Sequence, residues 1–587
     1  MKMWLGGLAL SLGMLGTNAL AENAAKPQGE PGVDPPTMHS LGVNWLVGGD
    51  ENKNASVGFA FRIKGETEWR ETLPLFRAES LAQQKTVFPL KGKIPDNASM
   101  FAGSALLLKP DTEYELRLKL TDPDGGNVEK LLSARTSKEP TTDGLNLTVK
   151  HVAPGKGGGD GTADHPYLGL GAAQQAAKPG TLYLLAAGVY NEAVDIRNSG
   201  ETGQPIVYRG PDTGEALIDP PQEKGSRPGR GISAAGVHDV WFEKLSVKNA
   251  IHAIVVNGSQ RMVVRRCKIT DCDFGITGNS DHSGGNQQGF FFCDNTIIGP
   301  CTWPRTKGIE SPRGIQVCGS GHEVCYNHIS NFSDAIDTFQ ATVCHSIDFH
   351  HNDLSSCTDD GIEMDYSERN TRCFYNRFTN IYQGISLQPI YGGPTYIFRN
   401  TLYNVCVEPF KLHNISYGGF IFHNSIVKKG VLWTMQTSEP LYRTTSRNNL
   451  FIGTEGRAVN FDSPIHECDF DYDGFGGFSG EVFVKWDGKK YASPKELRDK
   501  ASIYHHINVI DPATCFASGM KPPSETDKVI ASDTQDFRLN PAGNAIDTGV
   551  ILPGINDGFK GKAPDLGAIE QGEEAPWYGP RPEKSAK

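Results

Sequence analysis

The sequence predicts an all-β chain built mainly as a parallel β-solenoid, and three observations predict it. The phrase Asn-x-hydrophobic returns at Asn327, Asn352, Asn376, Asn400, Asn424 and Asn448, first after 25 residues and then every 24. A period in the twenties without a helix-forming stretch marks coils of short strands, each strand pairing with its copy about 4.8 Å away. An Asn at one corner of every coil can bond to its copies above and below, which satisfies polar groups that a solenoid has to bury. A leucine-rich repeat also carries an Asn in such a period, but its Leu-x-Leu phrase is missing. Two residues before each Asn stand Cys325, His350, Phe374, Phe398, Phe422 and Ser446, mostly apolar. They predict an interior column with His350 as a buried, hydrogen-bonded member.

Taken in order, the chain opens with Met1-Lys2, an apolar run from Trp4 to Leu15, and small residues at Ala19 and Ala21. Residues 1–21 are therefore expected to be a secretory signal cleaved after Ala21, giving a secreted or periplasmic monomer. The run is too short to span a membrane comfortably, and no later segment is long enough. A net charge of −11 without basic patches excludes nucleic acid as a partner. Residues 22–37, rich in Pro, Gly and Ala, predict a linker. Residues 38–140 read as strands, including Val57–Arg62 and the phrase Leu108-Lys-Pro-Asp-Thr-Glu-Tyr114-Glu-Leu-Arg-Leu118. That phrase resembles the tyrosine corner of fibronectin type III domains, which implies a β-sandwich serving as a spacer or docking piece.

A Gly-rich string from Gly157 is not a phosphate loop, since no Gly-Lys-Ser/Thr follows. An Ala-rich helix over Leu168–Lys178 is expected to cover the open end of the solenoid. Coils then occupy residues 145–470, with excursions at Gly278–Gln288 and Pro300–Gly314 walling a groove. Residues 471–587 are expected to pack as loops and one helix, Pro494–Ser502, on the side of the coils. The repeat and its helical cap resemble the right-handed parallel β-helix of the pectate-lyase-like superfamily over residues 145–470. Many of the 12 cysteines recur within the repeat and predict small buried hydrophobes; no CxxC pair points to zinc.

The chemistry is expected on one strand of each coil. Gly314–Cys318, Ala335–Phe339, Gly361–Asp365, Gly384–Gln388, Pro409–His413 and Val431–Met435 align, and alternation turns Ile336, Ile362, Ile385, Phe410 and Leu432 inward. Asp337, Glu363, Ser386, Lys411 and Trp433 then share one outer column, and Phe339, Asp365, Gln388, His413 and Met435 a second. Asp359 and Asp360 enter from the turn before the acidic strand. Strand spacing puts Asp337 and Glu363 about 5 Å apart and Glu363 and Lys411 about 10 Å apart. Carboxylates that close repel unless a hard cation bridges them or one stays protonated and acts as an acid. A solvated acidic flank is the bland alternative.

Asp359-Asp360-Gly361-Ile362-Glu363 resembles the Asp-Asp-Gly-x-Asp calcium motif of family 9 pectate lyases, with Glu363 in place of the last Asp. Phe410-Lys411-Leu412 resembles the phrase around the catalytic Lys of that family, although one full coil, carrying Ser386 and Gln388, separates the two. The resemblance implies Ca²⁺ held by Asp337, Asp359, Asp360, Glu363 and Asp365. It also implies Lys411, its pKa lowered by partial desolvation, as the base that removes the C5 proton of a uronate, with His413 beside it. A glycoside hydrolase using Asp337 and Glu363 as paired carboxylates is the rival reading, and a non-catalytic glycan-binding protein the third. For the polysaccharide itself, Trp433 and Tyr391 are candidates for stacking, Gln316 and Gln388 for hydroxyls, and Arg305 and Arg313 for carboxylates.

Overall fold

The computed structural model describes residues 23–79, 94–95, 97–222, 225–279, 287–338 and 344–583. The expected signal segment 1–21, the tip of the 278–288 excursion and Phe339 lie outside the described residues. The N-terminal region forms two antiparallel sheets. In one, Leu41–Gly48 pairs with Ala98–Ala105, which pairs in turn with Phe76–Ala78; in the other, Glu113–Thr121 lies between Ser56–Ile63 and Val128–Arg135. Glu113–Thr121 buries Tyr114, Leu116, Leu118 and Leu120, the alternation of a strand with one face in a core. The Tyr114 hydroxyl accepts the Lys109 N–H at 2.9 Å, the tie that the 108–118 phrase predicts. Residues 22–37, expected as a linker, supply two short strands, since Lys26–Pro27 and Gly32–Val33 both pair with Leu41–Gly48. Two-residue strands at an edge accommodate the Pro and Gly that would break a longer one.

Beyond Thr148 the chain winds as a right-handed parallel β-helix of about 12 turns. A typical coil contributes three strands, such as Glu323–Cys325, His328–Ser330 and Asp334–Thr338. The first kind builds one long parallel sheet and the other two build a second. Inside, Ile329, Leu354, Phe378, Leu402 and Ile426 form one wholly buried column, and Ile315, Ile336, Ile362, Ile385 and Phe410 another. Leu170–Gln175, shorter than expected, sets Leu170 and Ala173 into the first coils as a cap. Coils continue past residue 470, for Gly474–Gly476 and Asn508–Val509 extend the second long sheet. The late helix runs Pro494–Lys500; Ser493 accepts the Glu496 N–H while the Glu496 carboxylate accepts the Ala492 N–H, a reciprocal cap.

The Asn corner is present, with one change of membership. Each buried Asn accepts the backbone N–H of the Asn one coil earlier and donates its own amide to the next, from Asn295 through Asn327, Asn352, Asn376, Asn400 and Asn424. Asn449, not Asn448, takes the seventh place, and Asp473 ends the ladder. The residue before each ladder member is left-handed: Tyr326, His351, Tyr375, Arg399 and His423 have φ between 52° and 57°. Asn448, at φ 58°, occupies that slot, and its side chain bonds Val550 instead. Asn is among the few residues that tolerate this conformation, so two adjacent Asn residues leave the repeat ambiguous by one.

That left-handed residue also corrects the expected interior column. Val324, Phe349, Cys373, Ile397 and Ile421 point into the coil, three residues before the Asn, whereas Cys325, His350, Phe374, Phe398 and Phe422 point out of it. The outward column is buried all the same, because the N-terminal module and the C-terminal segment cover it. His350 stacks on Phe374 at 5.0 Å and bonds Glu323 at 2.6 Å. Buried ions anchor the module: Asp34 meets Arg369 at 2.8 Å, and Asp348, paired with Arg372, accepts Thr37 and Ser40. Buried pairs of this kind fix an orientation more than they add stability.

Replacing Asn376 by Ala strands the Phe349 carbonyl and the Asn352 N–H, both buried partners of its amide. A loss of at least ~2 kcal/mol in urea unfolding is expected. Asn448→Ala spares the ladder, so its effect should be smaller and confined to the C-terminal segment, read as faster amide exchange around Val550.

Candidate active site

The groove face is the outer side of the last strand of each coil in the second long sheet, where strand register carries the columns. Gln316, Asp337, Glu363, Ser386 and Lys411 are successive partners, as alternation predicts. A second column, two residues before the inward Ile, pairs Arg313 with Asp334 and Asp360 with Gln383. The Asp360 N–H donates to Asp334 Oδ1 at 2.8 Å, so Asp334 and Asp360 are neighbours. Asp334 and Glu408 are absent from the sequence-based candidates, yet the same alignment reaches them: each stands two residues before its inward Ile336 or Phe410.

Six carboxylates meet here: Asp334, Asp337, Asp359, Asp360, Glu363 and Asp365. Ligand atoms of Asp334, Asp359 and Asp360 lie within 4.8 Å of one another, and so do those of Asp334, Asp337 and Glu363. Three cations answer them. Arg313 Nε lies 2.5 Å from Asp334 and 3.2 Å from Asp337, Lys411 Nζ lies 2.7 Å from Asp360, and Arg305 reaches Asp359 at 3.4 Å. Asp334 and Asp360 are fully buried, and Asp337 and Asp365 nearly so.

Burial with too few cations raises these acids. Asp337 is pushed up to about 6 by desolvation against the pull of Arg313 and Gln316, and Asp365 to about 7 by desolvation and Asp360 against Lys411. Asp334 and Glu363 are held well above the usual range, by burial first and by neighbouring carboxylates second. Lys411 moves opposite to the expected lowering: burial alone would lower it, but Asp360, Asp365 and Glu363 together raise it. Partial desolvation was outweighed because the lysine sits against three carboxyl groups.

The remaining candidates divide. Gln316 donates to Asp337 Oδ2 at 3.0 Å, while Ser386 and the Gln388 N–H donate to Asp365. Gln316, Gln388, Arg313 and Tyr366 line a cleft of about 600 Å³ that opens on Asp337, Glu363 and Asp365. His413 pairs with Glu408 at 3.0 Å, two coils past the Glu363–Asp365 coil. Tyr391 is buried within Tyr391–Phe398 of the first long sheet and is not an edge-turn platform. Trp433 is the clearest miss. It is 0% exposed, stacked between Phe451 and Phe470, because Trp433–Met435 leaves the groove sheet and pairs with Val459–Phe461 in a separate small sheet. Alternation inherited from Phe410-Lys411 therefore does not reach it. A larger cleft of about 960 Å³ lies elsewhere, near Arg209, Arg265 and Arg581, but these cations are already paired to Glu243 and Glu139.

An oxygen-only donor set of this density suits a hard cation. Asp337 Oδ1 is buried without a hydrogen-bond partner, as a ligand oxygen awaiting an ion would be. Two triads that share Asp334 could hold Ca²⁺: Asp334 with Asp359 and Asp360, and Asp334 with Asp337 and Glu363.

No protein-family model and no curated protein matches the chain. Solved structures similar to it include XylC with xylose, at 13% identity over 72% of this chain and 99% of that one, TM-score 0.47. A family 28 exopolygalacturonase of Yersinia enterocolitica is 14% identical over 79% and 100%, TM-score 0.28. An alginate lyase from Paenibacillus sp. is 16% identical over 58% and 96%, TM-score 0.28.

The raised acids set a pH dependence. Folded Asp337 and Asp365 keep protons up to about 6 and about 7, whereas unfolded they release them near 4. Between those values the folded state binds more protons, so stability falls as pH rises through the window and levels off above it. In metal-free buffer the decline should approach about 1.4 kcal/mol per pH unit per group. Thermal melts of the chain and of Asp365→Asn check it; the variant should show the shallower dependence.

Proposed function

We propose that this chain degrades a polysaccharide in the groove beside the carboxylate cluster, as a Ca²⁺-assisted lyase on a uronate polymer. The observation that carries the reading is an over-charged, oxygen-only cluster, with Asp337 Oδ1 unpartnered, adjoining Lys411 on one outer face. Bound there, Ca²⁺ would engage the substrate carboxylate and ease removal of the C5 proton. Asp334, Asp359 and Asp360, with Asp337 and Glu363 on the other side of Asp334, would hold the ion, and Arg313 would supply a second contact for a carboxylate. Lys411 takes the C5 proton; the C4–O bond breaks, a C4=C5 double bond forms, and the departing oxygen gains a proton from water. Because Asp360 now holds Lys411 protonated, engagement of Asp360 elsewhere is what frees the base. The N-terminal module is read as a fibronectin type III-like docking piece, on the Lys109–Tyr114 tie. Action outside the cytoplasm is read from the 1–21 segment.

One observation favours hydrolysis as the second reading. With Asp365 at about 7 and Asp337 at about 6, the cleft holds carboxyls that can donate a proton near neutrality. The products separate the two: elimination yields an unsaturated uronate with ultraviolet absorbance, and hydrolysis yields only a new reducing end.

On the lyase reading, Lys411→Ala lowers kcat by about a hundredfold to ten-thousandfold; because it also strips the buried Asp360 of its cation, the melting temperature falls as well, and turnover is compared below it. Unchanged turnover would remove Lys411 as base. A lysine base is mostly protonated at neutral pH and its neutral fraction grows tenfold per pH unit, so log kcat should climb with a slope near one through mildly alkaline pH. EDTA should abolish activity and Ca²⁺ restore it; full activity in EDTA would end the metal assignment.

A further inference from the structure

The outer columns that carry the acids continue toward the N-terminal coils and change chemistry there. Arg230, His252, Phe274 and Arg313 are successive partners leading to Asp334, beside Ser233, Val255, Thr277 and Gln316 leading to Asp337. His252 and Phe274 lie face to face, ring centroids 4.4 Å apart and planes 11° from parallel. Both are half-buried, and the cleft over the acids meets a second cleft of about 560 Å³ that shares His252 and Asn279 with it. The groove therefore runs unbroken along four coil steps, about 19 Å at 4.8 Å per step.

Each feature fits a sugar chain better than a bare flank. Stacked on one another, the two rings cover each other's inner faces and turn their edges to the groove, an apolar ridge spanning two coils against which the C–H groups of a sugar can pack. Burial, with Arg230 adding to it and Asp273 opposing, lowers His252, so the imidazole is neutral at neutral pH and desolvates cheaply. Its Nδ1 faces Thr277 Oγ1 at 3.1 Å, which fixes the ring plane. Asn279, which lines both clefts, donates to Gln316 Oε1 at 3.1 Å, and Gln316 in turn donates to Asp337, a chain of amides leading from the platform to the acids. Ile309, 68% exposed on the 300–314 excursion, lines the same cleft as an apolar wall. Arg230, exposed at the far end, lies 3.6 Å from the half-exposed Asp195, a loose pair that an acidic substituent would have to displace.

We propose that the stacked His252–Phe274 pair is a distal sugar-binding platform for uronate-containing oligosaccharides, so that the polymer extends from the carboxylate cluster toward the N-terminal coils. The proposal rests on the polysaccharide reading of the site, though not on which bond-breaking reaction occurs there. Specificity for long chains then resides about 10 Å and more from the reacting bond, in residues that take no part in the chemistry.

Calorimetric binding of short and long oligogalacturonates and oligoalginates to the full chain in Ca²⁺ tests it, alongside cleavage assays. Phe274→Ala and His252→Ala should each weaken binding of long oligomers about tenfold, leave short ones unchanged, and raise KM for polymer without altering kcat. Phe274→Tyr should restore binding, and melting curves confirm that each variant is folded. Equal affinity of Phe274→Ala and the unsubstituted chain for long oligomers overturns the platform, as does failure of the unsubstituted chain to bind any of them. Length-dependent binding that needs Phe274, without product release, upholds the platform and ends the enzyme reading. Cleavage with unaltered length dependence in both variants does the reverse.

Discussion

The hydrogen bond from one corner Asn to the next is the constraint on which the rest of this structure depends. Asn327, Asn352, Asn376, Asn400 and Asn424 each hand an amide to the following coil and accept a backbone N–H from the preceding one. A slip by one residue would leave buried donors and acceptors without partners, so the register of successive coils is pinned. Pinned register makes columns. Ile336, Ile362 and Ile385 stack inward, and Asp337, Glu363 and Ser386 are thereby forced outward at strand spacing.

Columns explain how a folded chain tolerates six acids in so small a space. Like-charged side chains at that spacing repel, and Asp334 and Asp360 have lost their water as well. The cost is met by inward packing and corner hydrogen bonds along the whole solenoid, with Arg313, Lys411 and Arg305 relieving part of it. Local frustration supported by a rigid scaffold is a common signature of a functional site. A scaffold built from repeats can hold it without deforming, because each coil is braced by two neighbours.

The two long sheets divide the labour. The outer side of the first is covered, by the N-terminal module through Asp34–Arg369 and through Thr37 and Ser40 on Asp348, and by the C-terminal segment over Phe398 and Phe422. Over the coils between His252 and Lys411, the last strand of each coil keeps its outer face open as a groove, whereas the other strand of the same sheet, as in Thr401–Val405 and Ser425–Val427, is covered by the C-terminal segment. Polar and aromatic residues can occupy the groove without exposing an unpaired edge, since every strand there is paired on both sides.

Period and alternation are local properties, and the sequence by itself determined what depends on them. The solenoid, its Asn corner, the Asp337–Glu363–Lys411 column and the Lys109–Tyr114 tie are all readable from residue order. Asp334 and Glu408 were within reach of the same alignment. Tertiary structure decided whatever required knowing the neighbours of a position. Asn449 replaced Asn448 because a left-handed residue precedes each corner, and His350 turned outward for the same reason, into a layer that another part of the chain buries. Trp433 went inward because its strand left the sheet. The direction of the Lys411 shift followed from three carboxyl groups placed around it by other coils, and long-range fields of that kind have no trace in the local sequence.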